Sequence, residues 1–222
     1  MFSSFVVSRC TTICQCIYSV VLRGSGTGGL GVTKRTNLVI IVLFFIGVVA
    51  LGVVEFGFEA NIRHQQQQDT VAQLNPQTND FKKIVKFKNP YVGNNSNDVN
   101  LNANLPLANV PHTFAIQPMT RELDIRYTKS EQDLRMAMSR FQATLVYNAT
   151  ANFALIGNLK EITFTFPGTS YHVTRAHVHS WYGVAPSKLA NESAWKQKVQ
   201  NKLSDLKYVT NTFQVFFGRS NK

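Results

Sequence analysis

The sequence predicts an α+β fold: a single N-terminal transmembrane helix followed by a small domain of antiparallel hairpins packed on one long helix. Three observations lead to this prediction. Residues 38–54 form an uncharged apolar run, two pairs of short alternating segments flank turns, and apolar residues recur at helical spacing between the pairs. Residues 1–54 contain no Asp or Glu, and all three cysteines of the chain lie in this stretch. The remaining chain therefore contains no disulfide, which suits an exported bacterial domain.

Residues 1–36 form the predicted cytoplasmic N-terminal segment. Residues 24–29 match the G-x-G-x-x-G pattern, but the βαβ unit that a dinucleotide site requires is missing from the pattern around them. Residues 32–37 followed by the apolar run resemble the start of a membrane protein. Our hypothesis is that the codon for Val32 is a GTG start codon and that residues 1–31 are not normally translated. A different valine codon at this position would refute it.

Residues 37–58 contain the predicted transmembrane helix. From Leu38 to Val54 the chain has seventeen uncharged residues, fourteen of them Leu, Ile, Val or Phe. Insertion of these fourteen side chains contributes about −4 to −8 kcal/mol. Lys34 and Arg35 precede the run, so the positive-inside rule keeps the N-terminus inside and the C-terminal domain outside. A cleaved signal peptide is disfavoured because no small-x-small site ends the run, and a buried core helix because the run has no polar stripe. We expect a single-pass signal anchor in the cell membrane.

The chain after the helix is predicted in three parts. Residues 59–80 read as a flexible linker rich in Gln and Asn, residues 81–217 as an extracytoplasmic α+β domain, and residues 218–222 as a tail. The domain opens with a short strand over residues 84–87. A turn-rich segment and a short helix ending near Leu105 follow this strand.

Alternation of apolar and polar residues predicts a hairpin from residues 113–117 and 122–127. Ser130 and Asp133 resemble a capping box that starts the longest helix, and residues 157–158 end it. Its predicted buried stripe is Leu134, Met138, Phe141, Leu145, Ala149 and Phe153. The later elements are a second hairpin from residues 161–166 and 170–174, helices over 176–182 and 191–206, and a strand or helix over 208–217.

One segment resembles the opening of an uncharacterised domain family of Gram-positive bacteria. In that family a Y-V-G-[DN]-N-S turn leads through a short helix to L-P-L, then to a hairpin, a long helix and a second hairpin. The matching residues here are Tyr91, Val92, Gly93, Asn94, Asn95 and Ser96, followed by Leu105, Pro106 and Leu107. The resemblance covers roughly residues 81–182 and departs from the pattern at Pro111 and His112. It implies this topology and a membrane- or lipid-anchored outer location, and it implies no chemistry.

The candidate metal ligands are His172, His177 and His179, which zinc or copper could use if the fold brought them together. The two later histidines share one face of a strand but diverge on a helix, and no carboxylate follows within ten residues. We expect exposed, hydrogen-bonding histidines, no cofactor and no catalytic residues. Residues 204–207 match S-x-x-K, but the chain contains neither S-D-N nor K-T-G, so a penicillin-recognising enzyme is excluded.

Basic residues outnumber acidic ones, giving a formal net charge of +11. The lipid bilayer is the first expected partner, and an envelope protein or an anionic wall polymer is the second. Nucleic acid is not expected, since no recognition motif is present. Plain solubility is the competing explanation of the charge.

The predicted function is a non-enzymatic binding or sensory module at the cell envelope; the alternative is a metal-dependent accessory domain. The basic residues of the C-terminal part include two clusters. The first is Lys82, Lys83, Lys86 and Lys88, and the second is Lys196, Lys198, Lys202, Lys207, Arg219 and Lys222.

Overall fold

The computed structural model describes residues 43, 44, 62, 63 and 65–218. The chain divides into two compact units, Met1–Ala60 and Asn61–Lys222. Among the described residues, no helix has the length and apolar character needed to cross a membrane. The predicted span over residues 37–58 lies outside the described residues apart from Leu43 and Phe44, and so do its basic flank and the start proposed at Val32. These predictions remain predictions.

The second unit contains helices and one sheet, as the α+β prediction requires. Residues 65–73 are helical. The elements that follow are α1 (Phe81–Val85), α2 (Asn95–Asn102), β1 (His112–Gln117), β2 (Glu122–Tyr127), α3 (Met138–Leu155), β3 (Glu161–Phe166), β4 (Thr169–Thr174), α4 (Arg175–Tyr182), α5 (Glu192–Lys198) and α6 (Leu206–Phe217). Short 3-10 helices cover Gln132–Leu134, Pro186–Leu189 and Gln200–Ser204.

The four strands form one sheet in the order β1-β2-β3-β4. Both predicted hairpins are confirmed, because β1 pairs antiparallel with β2 and β3 with β4. The prediction of an entirely antiparallel sheet is wrong, since β2 and β3 are parallel, with Ile125 beside Phe164. The physical reason is the 18-residue helix α3, which returns the chain to the end of the sheet where β2 began.

The core lies between one face of the sheet and α3. Leu123, Ile125 and Phe164 are at most 1 % exposed on that face. Phe141 of α3 reaches the sheet by an edge-on contact with Phe166, with ring centroids 5.3 Å apart. Residues 143–155 are all buried, because α6, the 3-10 helix Pro186–Leu189 and α2 also pack against α3. The predicted buried stripe therefore accounts for only part of the buried surface of α3.

The start predicted for the long helix is wrong. Ser130 and Asp133 do form a cap, in which the Ser130 hydroxyl donates to Asp133 Oδ2 at 2.6 Å. This cap closes only the 3-10 turn Gln132–Leu134, because Arg135 follows it with φ of 49°. A left-handed residue cannot continue a helix, so α3 begins at Met138, whose side chain is exposed rather than part of the stripe.

The strand predicted over residues 84–87 is also wrong, since this segment lies in and just after α1. The Asp80 side chain accepts a hydrogen bond from Lys82 N at 2.9 Å and starts the helix. Phe81 and Ile84, three residues apart, are both buried on one side of the turn. This spacing favours a helix over a strand.

Residues 65–80, part of the predicted flexible linker, are structured. The helical segment over residues 65–73 is followed by turns that pack on the rest of the unit. Asn79 is 2 % exposed, and its amide nitrogen donates to Gln73 O at 2.6 Å and to Asn104 O at 2.9 Å. The ordered unit therefore begins before Phe81.

The C-terminal elements follow the prediction in part. Asn191 caps a helix as expected, but α5 ends at Lys198 and a 3-10 helix replaces its predicted second half. Of the two alternatives left open for the last element, the helix is found, as α6. The helical turn after β4 is confirmed and ends at Gly183, which has φ of 66°.

Candidate functional site

The turn that carries the resemblance packs against the sheet tip and the end of α3. Gly93 has φ of 104°, and a Cβ there would lie 2.8 Å from Pro118 Cγ, so both the conformation and the space call for glycine. The Asn94 side chain accepts from Asn97 N at 3.4 Å and starts α2. Val92 N donates to Asn158 Oδ1 at 2.6 Å, which ties the turn to the residues after α3.

Asp98, on the first turn of α2, is fully buried beneath this turn. Its carboxylate accepts from Gly93 N at 2.9 Å and from Asn89 Nδ2 at 3.3 Å. Burial raises the pKa of Asp98, and the hydrogen bonds from Gly93 and Asn89 oppose that rise. A carboxylate held in this way organises the main chain of the turn.

A second polar contact joins α2 to α3 in the interior. The amides of Asn102 and Asn152 exchange two hydrogen bonds of 3.0 Å each. Nearby, Asn148 Nδ2 donates to Pro106 O at 2.7 Å, while Leu105 and Leu107 are buried. The matched motif residues therefore act mainly as scaffold, and Tyr91, 67 % exposed, is the large motif side chain that faces solvent.

The structure does not bring the three candidate histidines into one ligand set. His172 lies on β4, where its Nε2 is 3.0 Å from Glu161 Oε2. His177 Nδ1 is 3.1 Å from Phe216 O, and His179 lies in the last turn of α4. Within the described part of the chain, no group of three His, Cys, Asp or Glu side chains is arranged to hold a metal ion. The metal-dependent alternative has no site among these residues.

Two lysines from distant clusters, Lys82 and Lys196, contact the same carboxylate. Beneath them Phe81 of α1 stacks on Trp195 of α5, with ring centroids 5.1 Å apart. Above these rings Glu192 lies between two lysines, with carboxylate oxygens 3.8 Å from Lys82 Nζ and 2.9 Å from Lys196 Nζ. The hydrogen bond from Lys196, and then the charges of both lysines, lower the pKa of Glu192.

We name this face the basic surface and define it by two exposed lysines that contact Glu192, Lys82 of α1 and Lys196 of α5. Lys83 and Lys198 are exposed as well, but residues one or two positions apart on a helix point in different directions. The sequence showed both clusters but not the shared contact of these two lysines, because the contact depends on Trp195, which packs into the core between Phe81 and Tyr147. Arg219 and Lys222 lie outside the described residues.

An open groove of about 1260 Å³ runs between the β3–β4 turn, the start of α3 and the end of α6. In it the Tyr171 hydroxyl donates to Glu131 Oε1 at 2.6 Å. Burial and the hydrogen bond to Glu131 raise the pKa of Tyr171, so the phenol stays protonated. Phe213 lies beside this pair, with its ring centroid 5.5 Å from that of Tyr171. This groove could not be predicted from the sequence, because its walls come from four separated segments.

The comparisons with known proteins yielded a family match. Neither the curated proteins nor the solved structures yielded a match to this chain. One family model matches, from the last residues of α1, through the motif turn and the whole sheet, to the start of α4. The expectation of an uncharacterised domain is thereby confirmed, while the specific motif and the Gram-positive source stay predictions. Residues 84–175 are a DUF4825 domain, a domain of unknown function.

Proposed function

We propose that this protein is a non-enzymatic binding module of the cell envelope, and that its basic surface binds phosphate-bearing anions. The apolar run from Leu38 to Val54 would hold it in the membrane with residues 61–222 on the outer face. The observation that carries the proposal is the approach of Lys82 and Lys196, from two distant parts of the chain, to Glu192. Two lysines beside one carboxylate leave a net positive charge on this surface, which attracts anions.

The size of the expected attraction follows from the number of exposed lysines. Each lysine near an anionic surface contributes about 1 kcal/mol, and the effect falls off within a Debye length of about 8–10 Å. Glu192 offsets part of the charge of Lys82 and Lys196, so the two lysines contribute at most about 2 kcal/mol together. Binding is therefore expected to weaken steeply as salt concentration rises.

We propose no catalytic role. His172 and His177 contact separate partners, Glu161 and the Phe216 carbonyl, on different elements. Neither arrangement places a nucleophile beside a base that a third group orients. A binding role needs only the charge and the rigid placement of the two helices.

The test compares two double substitutions in the detergent-solubilised full chain. Lys82→Gln with Lys196→Gln removes two charges from the basic surface, and Lys129→Gln with Lys160→Gln removes two from opposite ends of the sheet strands β2 and β3. The probes are soluble poly(glycerol phosphate) and vesicles containing phosphatidylglycerol at low salt. Two lost contacts of about 1 kcal/mol each predict roughly 30-fold weaker binding for the first pair.

The outcomes separate the two sources of phosphate. A loss confined to the soluble polymer indicates a wall polymer, and a loss confined to vesicles indicates lipid headgroups. Equal binding by both double variants would refute the basic surface as the binding site. The location is tested by adding protease to intact cells: digestion of residues 61–222 is expected, and their full protection would contradict the proposed outer location.

A further inference from the structure

The edge of the sheet at β1 lacks the features that normally prevent an edge strand from pairing with another strand. β1 is the first strand in the order β1-β2-β3-β4, and within the described residues it pairs only with β2. Its six residues, His112–Gln117, include no Lys, Arg, Asp or Glu and no proline. Exposed edges are normally protected against pairing by such residues or by a bulge, and the register with β2 is continuous.

The hydrogen-bonding groups that β1 leaves open can be assigned from the register. Thr128 N donates to Pro111 O at 3.0 Å, which makes this position a hydrogen-bonded pair. Because such pairs alternate along antiparallel strands, Thr113, Ala115 and Gln117 direct their main-chain groups to β2. His112, Phe114 and Ile116 therefore direct theirs away from the sheet.

Two of the three open positions carry apolar side chains that are incompletely covered. Phe114 and Ile116 pack against the core but remain half-buried. Both lie on the core-facing side of β1, while Thr113, Ala115 and Gln117 lie on the solvent-facing side of the sheet. A strand added to this edge would bury more of both apolar side chains.

We propose that β1 pairs antiparallel with β1 of a second copy of this chain, about a two-fold axis at Ala115, so that two four-stranded sheets become one. In this register Phe114 lies opposite Ile116 of the second copy. Both residues direct their main-chain groups outward, so each such pair closes two hydrogen bonds. An aromatic side chain opposite a β-branched one is a favourable cross-strand pair, and the two-fold symmetry produces two such pairs in the dimer.

The charges beside β1 do not oppose this self-pairing. Thr113 would face Gln117 of the second copy, which places Arg126, the β2 neighbour of Thr113, in one row with Glu122 of the second copy. These two opposite charges are three strand spacings apart, so their attraction is largely screened. The two copies of Asp124 would share the central row, but each accepts a hydrogen bond from its own Arg126 at 2.6 Å and they lie about 14 Å apart, three strand spacings.

Cysteine cross-linking tests the register. Ala115 would face its own copy in a pair without hydrogen bonds, with a Cα separation of about 4.5 Å that a disulfide can bridge. In the full chain with Cys10, Cys14 and Cys16 replaced by Ser, oxidised Ala115→Cys is expected to run mainly as a disulfide-linked dimer. Thr113→Cys and Gln117→Cys place their symmetry mates about 13 Å apart and should cross-link several-fold less. Equal cross-linking of all three, or none at Ala115→Cys, would overturn the proposal.

A measurement without cysteine keeps the proposal testable if oxidation distorts the edge. Sedimentation of the detergent-solubilised full chain is expected to show a dimer that Ala115→Lys converts to a monomer. Ser170→Lys places the same charge on β4, the opposite edge strand, and should leave the dimer intact. A monomeric parent protein, or a dimer lost only in Ser170→Lys, would overturn pairing through β1.

Discussion

Replacement of Asn79 by alanine tests whether the segment before α1 is part of the folded unit. This side chain makes three hydrogen bonds: it accepts from the Tyr147 hydroxyl at 2.8 Å and donates to Gln73 O at 2.6 Å and Asn104 O at 2.9 Å. At about 0.5–1.5 kcal/mol net each, their loss predicts a decrease of about 2–4 kcal/mol in the free energy of unfolding. The buried Tyr147 hydroxyl loses its acceptor, which places the value in the upper part of this range.

Urea unfolding of residues 61–222, followed by tryptophan fluorescence, measures this loss. Trp195 is a suitable reporter because its Nε1 donates to the Tyr147 hydroxyl at 3.3 Å. Asn104→Ala is the matched control, since that side chain makes one exposed hydrogen bond, to Asn100 O, and should cost less than about 1 kcal/mol. If Asn79→Ala unfolds within about 0.5 kcal/mol of the parent protein, residues 73–79 are not held as described.

Two further substitutions probe buried charge. Burial raises the pKa of Asp98, so the stabilisation from its protonated form is complete below its unfolded pKa and is lost as pH rises through the folded pKa. The stability of the parent relative to Asp98→Asn should therefore fall as pH rises above the usual pKa range of an aspartate, and a pH-independent difference in urea unfolding would contradict this. Arg175→Lys should lower the free energy of unfolding by about 1–3 kcal/mol, because the half-buried guanidinium donates to two main-chain carbonyl oxygens, each at 2.6 Å, and one ammonium cannot match that geometry. The control Arg126→Lys, at an exposed ion pair, should change the free energy of unfolding by less than about 1 kcal/mol. If Arg175→Lys and Arg126→Lys lower it equally, the hydrogen bonds of Arg175 do not have the proposed stabilising role.

The hairpins were predictable from the sequence because their signals are local. Leu123, Ile125 and Tyr127 alternate with polar residues and are buried on one face, as the period of two requires. Gly183 ended its helical turn in the same predictable way, in a left-handed conformation. Gly157 was expected to do likewise but serves another purpose: a Cβ there would lie 3.0 Å from Pro90 O, so it permits a close approach of two main-chain segments.

The errors concern features that depend on distant residues. The parallel pairing of β2 with β3 depends on the path of α3 and leaves no mark on either strand. Asn79 looked like a linker residue because its acceptor and donor partners are 6 to 68 positions away. The two lysines of the basic surface were assigned to separate clusters for the same reason, since the packing of Trp195 on Phe81 and the Lys82–Glu192 contact join them only in the folded chain.

The bounds of the family match separate the two proposals. DUF4825 covers residues 84–175, which include β1 and the whole sheet, whereas Lys82 and Lys196 lie outside these bounds. Pairing through the β1 edge, if it occurs, is thus built into the matched domain. The proposed binding of anions would involve Lys82 of α1 and Lys196 of α5, which are not part of the match. The two experiments can therefore succeed or fail independently, and a dimer that does not bind phosphate polymers would assign the matched domain to self-association.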